Sequence, residues 1–206
     1  MVLKINIINY IILPNFSIYN IDMNTQQVFD ALFTFNEFAR ENKIKYSIKG
    51  NLLNEVLNNH QFEKIFPLKV SMMFHDFLKI YNQKSSFFSF ERTQVTDSFL
   101  PYFFFNHAKI YIELLVPCSE AKWTKKSIKK YNKIIEKMKQ ICNSKNKKTP
   151  SIGELVDLIY DHKPQFWISL NDSEPFLEKY DHINFKKIEY VQINDLTLPY
   201  FTDLVK

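Results

Sequence analysis

Two glycines in 206 residues, Gly50 and Gly153, constrain this chain more than any other feature. Phosphate-cradling loops of the P-loop or dinucleotide type need several glycines in one turn, so those nucleotide-binding classes are excluded. A glycine this scarce also marks Gly50 as a place where the backbone must do something other residues resist. Around it the chain has ordinary globular character, with 46% hydrophobic residues and 20 Phe. That composition supports one packed core and argues against disorder.

Val28, Leu32, Phe35 and Ala39 recur at helical spacing after the capping-box-like pair Asn24 and Gln27. The helix is expected to close at Asn42 and Lys43. Residues Ile44 to Ile48 then read as a strand, and Gly50 opens a second helix carrying Leu52, Leu53, Val56 and Leu57. Pro67 precedes an apolar segment, Leu68 to Met72, followed by a helical stretch from Phe74 to Tyr81. Ser86 to Glu91 and Tyr102 to Phe105 read as strands, and Lys109 to Val116 as a central strand. Ser151 and Glu154 cap a further helix through Tyr160, and the tail carries a strand at Ile188 to Ile193 and a Leu198-Pro199 turn. Strands and helices alternate without repeat or linker, which predicts a single α/β domain over residues 1–206, with one mixed sheet and flanking helices.

A Lys-rich helix is expected at about residues 121–142. Eleven lysines fall between Lys122 and Lys148, while Trp123, Ile128, Tyr131, Ile135, Met138 and Cys142 form one apolar stripe. Two readings stand: a solvated basic face, or a surface for an anionic partner such as nucleic acid or lipid headgroups.

The apolar N-terminal run from Ile5 to Leu13 is too short to span a bilayer and reads as a buried strand, so no transmembrane segment is expected. Cys118 and Cys142 lack a CxxC partner or a Cys/His cluster, so neither a disulfide framework nor structural zinc is indicated, which fits the cytoplasm or another reducing compartment. His60, His75, His107, His162 and His182 are scattered, without metal or triad spacing. Glu154, Asp157 and Asp161 share a helical spacing that makes either an acidic patch or a solvated face.

Tyr46, the run Lys49-Gly50-Asn51-Leu52-Leu53-Asn54 and the run Met72-Met73-Phe74-His75-Asp76-Phe77 follow one another in a register without gaps. In that order they resemble the LicD/fukutin-like family of the nucleotidyltransferase fold. Ile110 to Pro117 resembles the family's strand bearing a third acidic residue, and Tyr190 to Ile193 with Leu198-Pro199 resembles its late strand and proline turn, so the likeness spans most of the chain.

The resemblance implies a nucleotidyltransferase-like domain and the transfer of a phosphorylated group, of the phosphocholine or ribitol phosphate type, to a glycan or lipid-linked acceptor. It also implies a pair of carboxylates at i and i+2 that, with a third acid on a neighbouring strand, would hold magnesium or manganese against phosphate oxygens. Here Pro67 and Lys69 stand at the paired positions, and Glu113 alone remains of the three. A lysine among metal ligands costs about 4 kcal/mol per unit charge at roughly 4 Å and an effective dielectric near 20. Leu57, Asn54 and Phe74 replace the family's phosphate-contacting arginine, second turn glycine and second arginine.

The expectation is therefore a binding or scaffolding domain without metal or other cofactor, for a nucleotide-linked or glycan ligand. Magnesium or manganese enters only if a rearranged site transfers phosphoryl groups through Glu113, Asp76 and Lys69 as a fixed cation. Gly50 and Asn51 are the candidate ligand contacts, against a structural reading as turn glycine and helix cap. Asp76 either serves such a site or complements the dipole of its own helix. Glu113, an acid within an apolar strand, requires a partner, and Lys69 is the one the register suggests.

Overall fold

The structure, a computed structural model, describes residues 25–59, 68–83, 87–89, 100–140, 152–170, 178–181, 186–193 and 195–204. The expected N-terminal strand, the Asn24 and Ser151 caps, Pro67, Cys142, His60 and His182 lie outside the described residues.

Helix α1, Thr25–Glu41, turns Val28, Ala31, Leu32, Phe35 and Ala39 into the core. It closes where Asn42 Nδ2 donates to the Phe38 carbonyl at 2.8 Å and Lys43 takes a positive φ of 53°. The Ile44 N–H still caps the helix, on the Ala39 carbonyl at 2.8 Å, so strand β1 is only Tyr46–Ile48 and begins later than its apolar pattern suggests. Gly50–Asn59 is α2, Leu68–Met73 is β2, and β2 passes directly into α3, Phe74–Gln83. The short strands β3, Phe88–Ser89, and β4, Tyr102–Phe105, lead to the long β5, Ala108–Cys118. Asn106 and His107, at φ 46° and 67°, make the two-residue turn between β4 and β5, with both residues in the left-handed region. Then come α4, Lys125–Gln140; α5, Ile152–Ile159; β6, Phe166–Leu170; β7, Glu178–Tyr180; β8, Ile188–Ile193; and β9, Leu196–Phe201, which ends in a 3-10 turn at Thr202–Leu204.

The result is a mixed α/β domain. β5 is the axis of a seven-stranded mixed sheet. It pairs parallel with β2 along one edge, and antiparallel with β4 and then β6 along the other. β1 adds antiparallel to β2, and β7 to β6. Strand periodicity divides the sheet into two faces with different chemistry. Leu68, Val70, Met72, Ile110, Ile112, Leu114, Ile168 and Leu170 lie on one face and are fully buried in the main core, beside α1. On this side Phe35 meets Tyr46 and Phe103 edge-on at 4.8 and 5.3 Å.

The opposite face carries Ser47, Lys69, Ser71, Glu113, Ser169 and Glu178. A smaller cluster of Met73, Leu115, Tyr180, Phe201 and Leu204 packs there, bringing the end of β9 and its 3-10 turn onto the sheet. The expected turn at Leu198-Pro199 is instead the middle of β9, with Pro199 opposite Tyr190 in the β8–β9 hairpin. A period of two puts the Pro199 nitrogen on the same side as the Phe201 N–H, which points away from β8 to Ser47 Oγ at 2.9 Å. Proline therefore removes no ladder bond from this strand. Among the described residues no helix is long and apolar enough to cross a membrane.

Candidate functional site

Glu113 lies in the central strand and is 3% exposed. A carboxylate there must be neutralised or paired. Its partner is the Lys49 ammonium, at 2.6 Å from Oε2, and the same ammonium reaches Glu178 Oε2 at 3.1 Å. The Tyr180 hydroxyl donates to Glu178 at 2.5 Å, and the Ser169 hydroxyl approaches Glu113 at 3.5 Å. Burial pulls the Lys49 pKa down, but Glu113 and Glu178 outweigh it and hold the ammonium above its ordinary value. Tyr180 is pushed far up, first by burial and then by its bond to Glu178, so its phenol stays neutral.

The local chain explains this convergence. Lys49 follows β1 with the same parity as Ser47, so its side chain falls on the polar face. Gly50, at φ +59°, then turns the chain into α2, and a Cβ there would meet nothing within 4 Å. The glycine is thus required by backbone conformation and not by crowding. The space beside it is a cavity of about 120 Å³ lined by Lys49, Gly50, Leu53, Asn54, Glu178, Tyr180 and Leu204. An ammonium has three N–H donors and the two carboxylates engage it from one side each, leaving one donor for the cavity. Next to this cluster, Ser71 is paired with Ser47 on one side and Glu113 on the other. Its hydroxyl is fully buried and finds no hydrogen-bond partner among the described residues.

Of the residues expected from sequence, Gly50 lines the cavity and Glu113 anchors the cluster. Asn51 stands in the first turn of α2. Lys69 is not the partner of Glu113: the parallel register sets Lys69 opposite Tyr111 and Ser71 opposite Glu113, and the ammonium that reaches the carboxylate comes from Lys49. Asp76 belongs to the other end of β1. It is 1% exposed, accepts the Lys45 backbone N–H at 3.3 Å, and pairs with Lys79 one turn along α3. That is a fold-joining role as well as a first-turn acid.

The histidines stay apart: His75 sits 3.5 Å from Asp76, His107 occupies the β4–β5 turn and His162 meets the Tyr160 hydroxyl at 3.3 Å. The expected acidic trio also separates. Glu154 and Asp157 are exposed on α5, whereas Asp161 lies past the helix and is bound by the Ser119 hydroxyl and the Lys163 N–H. Among the described residues no group of three or more His, Cys, Asp or Glu side chains could hold a metal ion. Sequence reasoning missed Lys49, Glu178 and Tyr180. Lys49 stood beside Gly50 in the quoted run, but nothing local to Glu178 marks it. Compared with known proteins, the chain matches no family model, no curated protein and no solved structure.

Proposed function

We propose that this chain is a LicD/fukutin-like, nucleotidyltransferase-like domain that works as a binding or scaffolding module and not as a metal-dependent transferase. One observation carries the reading: the Lys49 ammonium lies between Glu113 and Glu178, against the acid that the family resemblance would give to a metal ion. A divalent cation about 4 Å from that ammonium would meet roughly 8 kcal/mol of repulsion at an effective dielectric near 20. Supporting the likeness, β1, β2 and β5 lie in one sheet with α1 packed on it, and Gly50 makes the strand-to-helix turn.

The cavity offers a donor on Lys49 and an acceptor on Glu178 side by side. A hydroxyl that accepts from one and donates to the other fits this pair, as on the sugar of a nucleotide-linked or glycan ligand. The test is calorimetric titration and thermal melting with magnesium, manganese and a panel of sugar nucleotides and oligosaccharides. The expected result is no shift with either metal and a rise in melting temperature with a sugar-bearing ligand, lost in Lys49→Met. Stoichiometric magnesium binding that disappears in Glu113→Ala would overturn the reading and favour a phosphotransferase.

A further inference from the structure

The outer face of α4 holds charge that the domain itself does not use. Lys125, Lys126, Lys129, Lys130, Lys133 and Lys137 are all exposed, and none makes an ion pair among the described residues. The helix sequence KKSIKKYNKIIEKMKQ holds seven lysines and one acid, so it carries more positive charge than the chain's net of +5, and the remainder is slightly acidic.

This arrangement works against the helix that bears it. Lys125 and Lys126 occupy the first turn, where the helix dipole disfavours cations, and that turn has no acidic residue. Lys125/Lys129, Lys126/Lys130, Lys129/Lys133 and Lys133/Lys137 are like-charge neighbours at i,i+4, each unfavourable by about 0.2–0.5 kcal/mol. The helix holds nonetheless because Thr124 and Ser127 cap it reciprocally, with Ser127 Oγ accepting the Thr124 N–H at 2.8 Å and Thr124 Oγ1 accepting the Ser127 N–H at 3.2 Å. Buried Tyr131, Ile134 and Ile135 fasten its other side to the core. A rigid, self-repelling row of ammonium groups is relieved by an extended anion.

We propose that α4 is a sequence-independent docking helix for duplex DNA, seated in the major groove with its lysines on the flanking phosphates. At 3.6 residues per turn the six lysines spread over an arc of about 140° along a helix about 24 Å long. An arc that wide faces both walls of a groove about 12 Å across, which accepts one helix. A flat membrane would touch only its middle. Among the described residues the face also exposes no large apolar side chain to enter a bilayer, since Ile128 and Trp123 are partly buried and Tyr131, Ile134 and Ile135 are buried. The exposed lysines present compact ammonium groups and no planar fork to read base edges, so their contact is with phosphate.

Fluorescence anisotropy of a labelled random duplex of about 20 base pairs tests this, titrated with the full chain at several salt concentrations. Six phosphate contacts predict a log–log salt slope near −5. Lys126→Gln/Lys130→Gln/Lys133→Gln should weaken binding at least tenfold and flatten the slope by about three units. Its melting temperature and far-UV circular dichroism should remain at or above the parent's, because the substitutions relieve repulsion. Absence of duplex binding at low salt, an unchanged slope in the triple variant, or equal or tighter binding to phosphatidylserine vesicles would each overturn the proposal.

Discussion

Lys49 shows how a single side chain can hold a fold's polar interior together. It neutralises a carboxylate 3% exposed in the central strand and reaches a second on β7, so its removal leaves Glu113 charged and alone. Lys49→Met is expected to lower stability by about 3–5 kcal/mol, read from urea unfolding. Adding Glu113→Gln should recover a large part of that loss, because the penalty comes from an uncompensated charge. Recovery of nothing would mean that Lys49 acts through packing of its stem. Gly50→Ala should cost about 1–2 kcal/mol despite open space at the Cβ position, since φ +59° strains any L side chain. The sequence made the glycine conspicuous and the acid at position 113 suspicious. It could not say which lysine answers that acid, because the answer depends on strand register and on β7, which lies 129 positions from Lys49.

At the scale of elements, parity decides more than propensity. β2 and β5 are each legible as apolar segments, and their buried residues on one face follow directly from the pattern. The polar face instead depends on what covers it, and the end of the β8–β9 hairpin does so through the apolar packing of Phe201 and Leu204 and a bond from the Phe201 N–H to Ser47 Oγ. Ser47→Ala removes the acceptor of that bond, at a cost of about 1–3 kcal/mol. Amide exchange should then accelerate in Leu196–Phe201 while β2 and β5 keep their protection. Uniform acceleration across the sheet would show that the hairpin is not a separable unit. Strand β6 escaped the sequence reading although Pro164 precedes Phe166–Leu170 and Asn171-Asp172-Ser173 follows it, because a five-residue apolar run is too short to show a period of its own.

For the whole molecule, the buried titratable groups predict an alkaline limit. The Cys118 thiol is pushed up to about 11 from 9.0, chiefly by burial. A raised folded-state pKa means that its contribution is complete below the unfolded value and lost as pH climbs through the folded one. Melting temperature should therefore begin to fall above about pH 9, as the unfolded thiol ionises first, with a contribution on the order of 2 kcal/mol. Cys118→Ala should move the onset toward pH 10, where the unfolded counterparts of buried Tyr46, Tyr131 and Tyr180 ionise. The Lys49 pair adds a later loss above its ordinary 10.5. Melts across the alkaline range check the order, and an onset unchanged in Cys118→Ala would refute it.

By itself the sequence determined the class of this protein: helical and two-residue apolar periods name most of the elements, and their alternation names a mixed α/β domain. It also determined that α4 would be basic outside and apolar inside, because amphipathic spacing is a local property. Only the tertiary structure decided which charges meet. Ion pairs across strands depend on register, on parity and on chain segments far apart in sequence, none of which composition or spacing encodes. Lys49, Glu113 and Glu178 converge because the residue after β1 and the strands β5 and β7 present the same face.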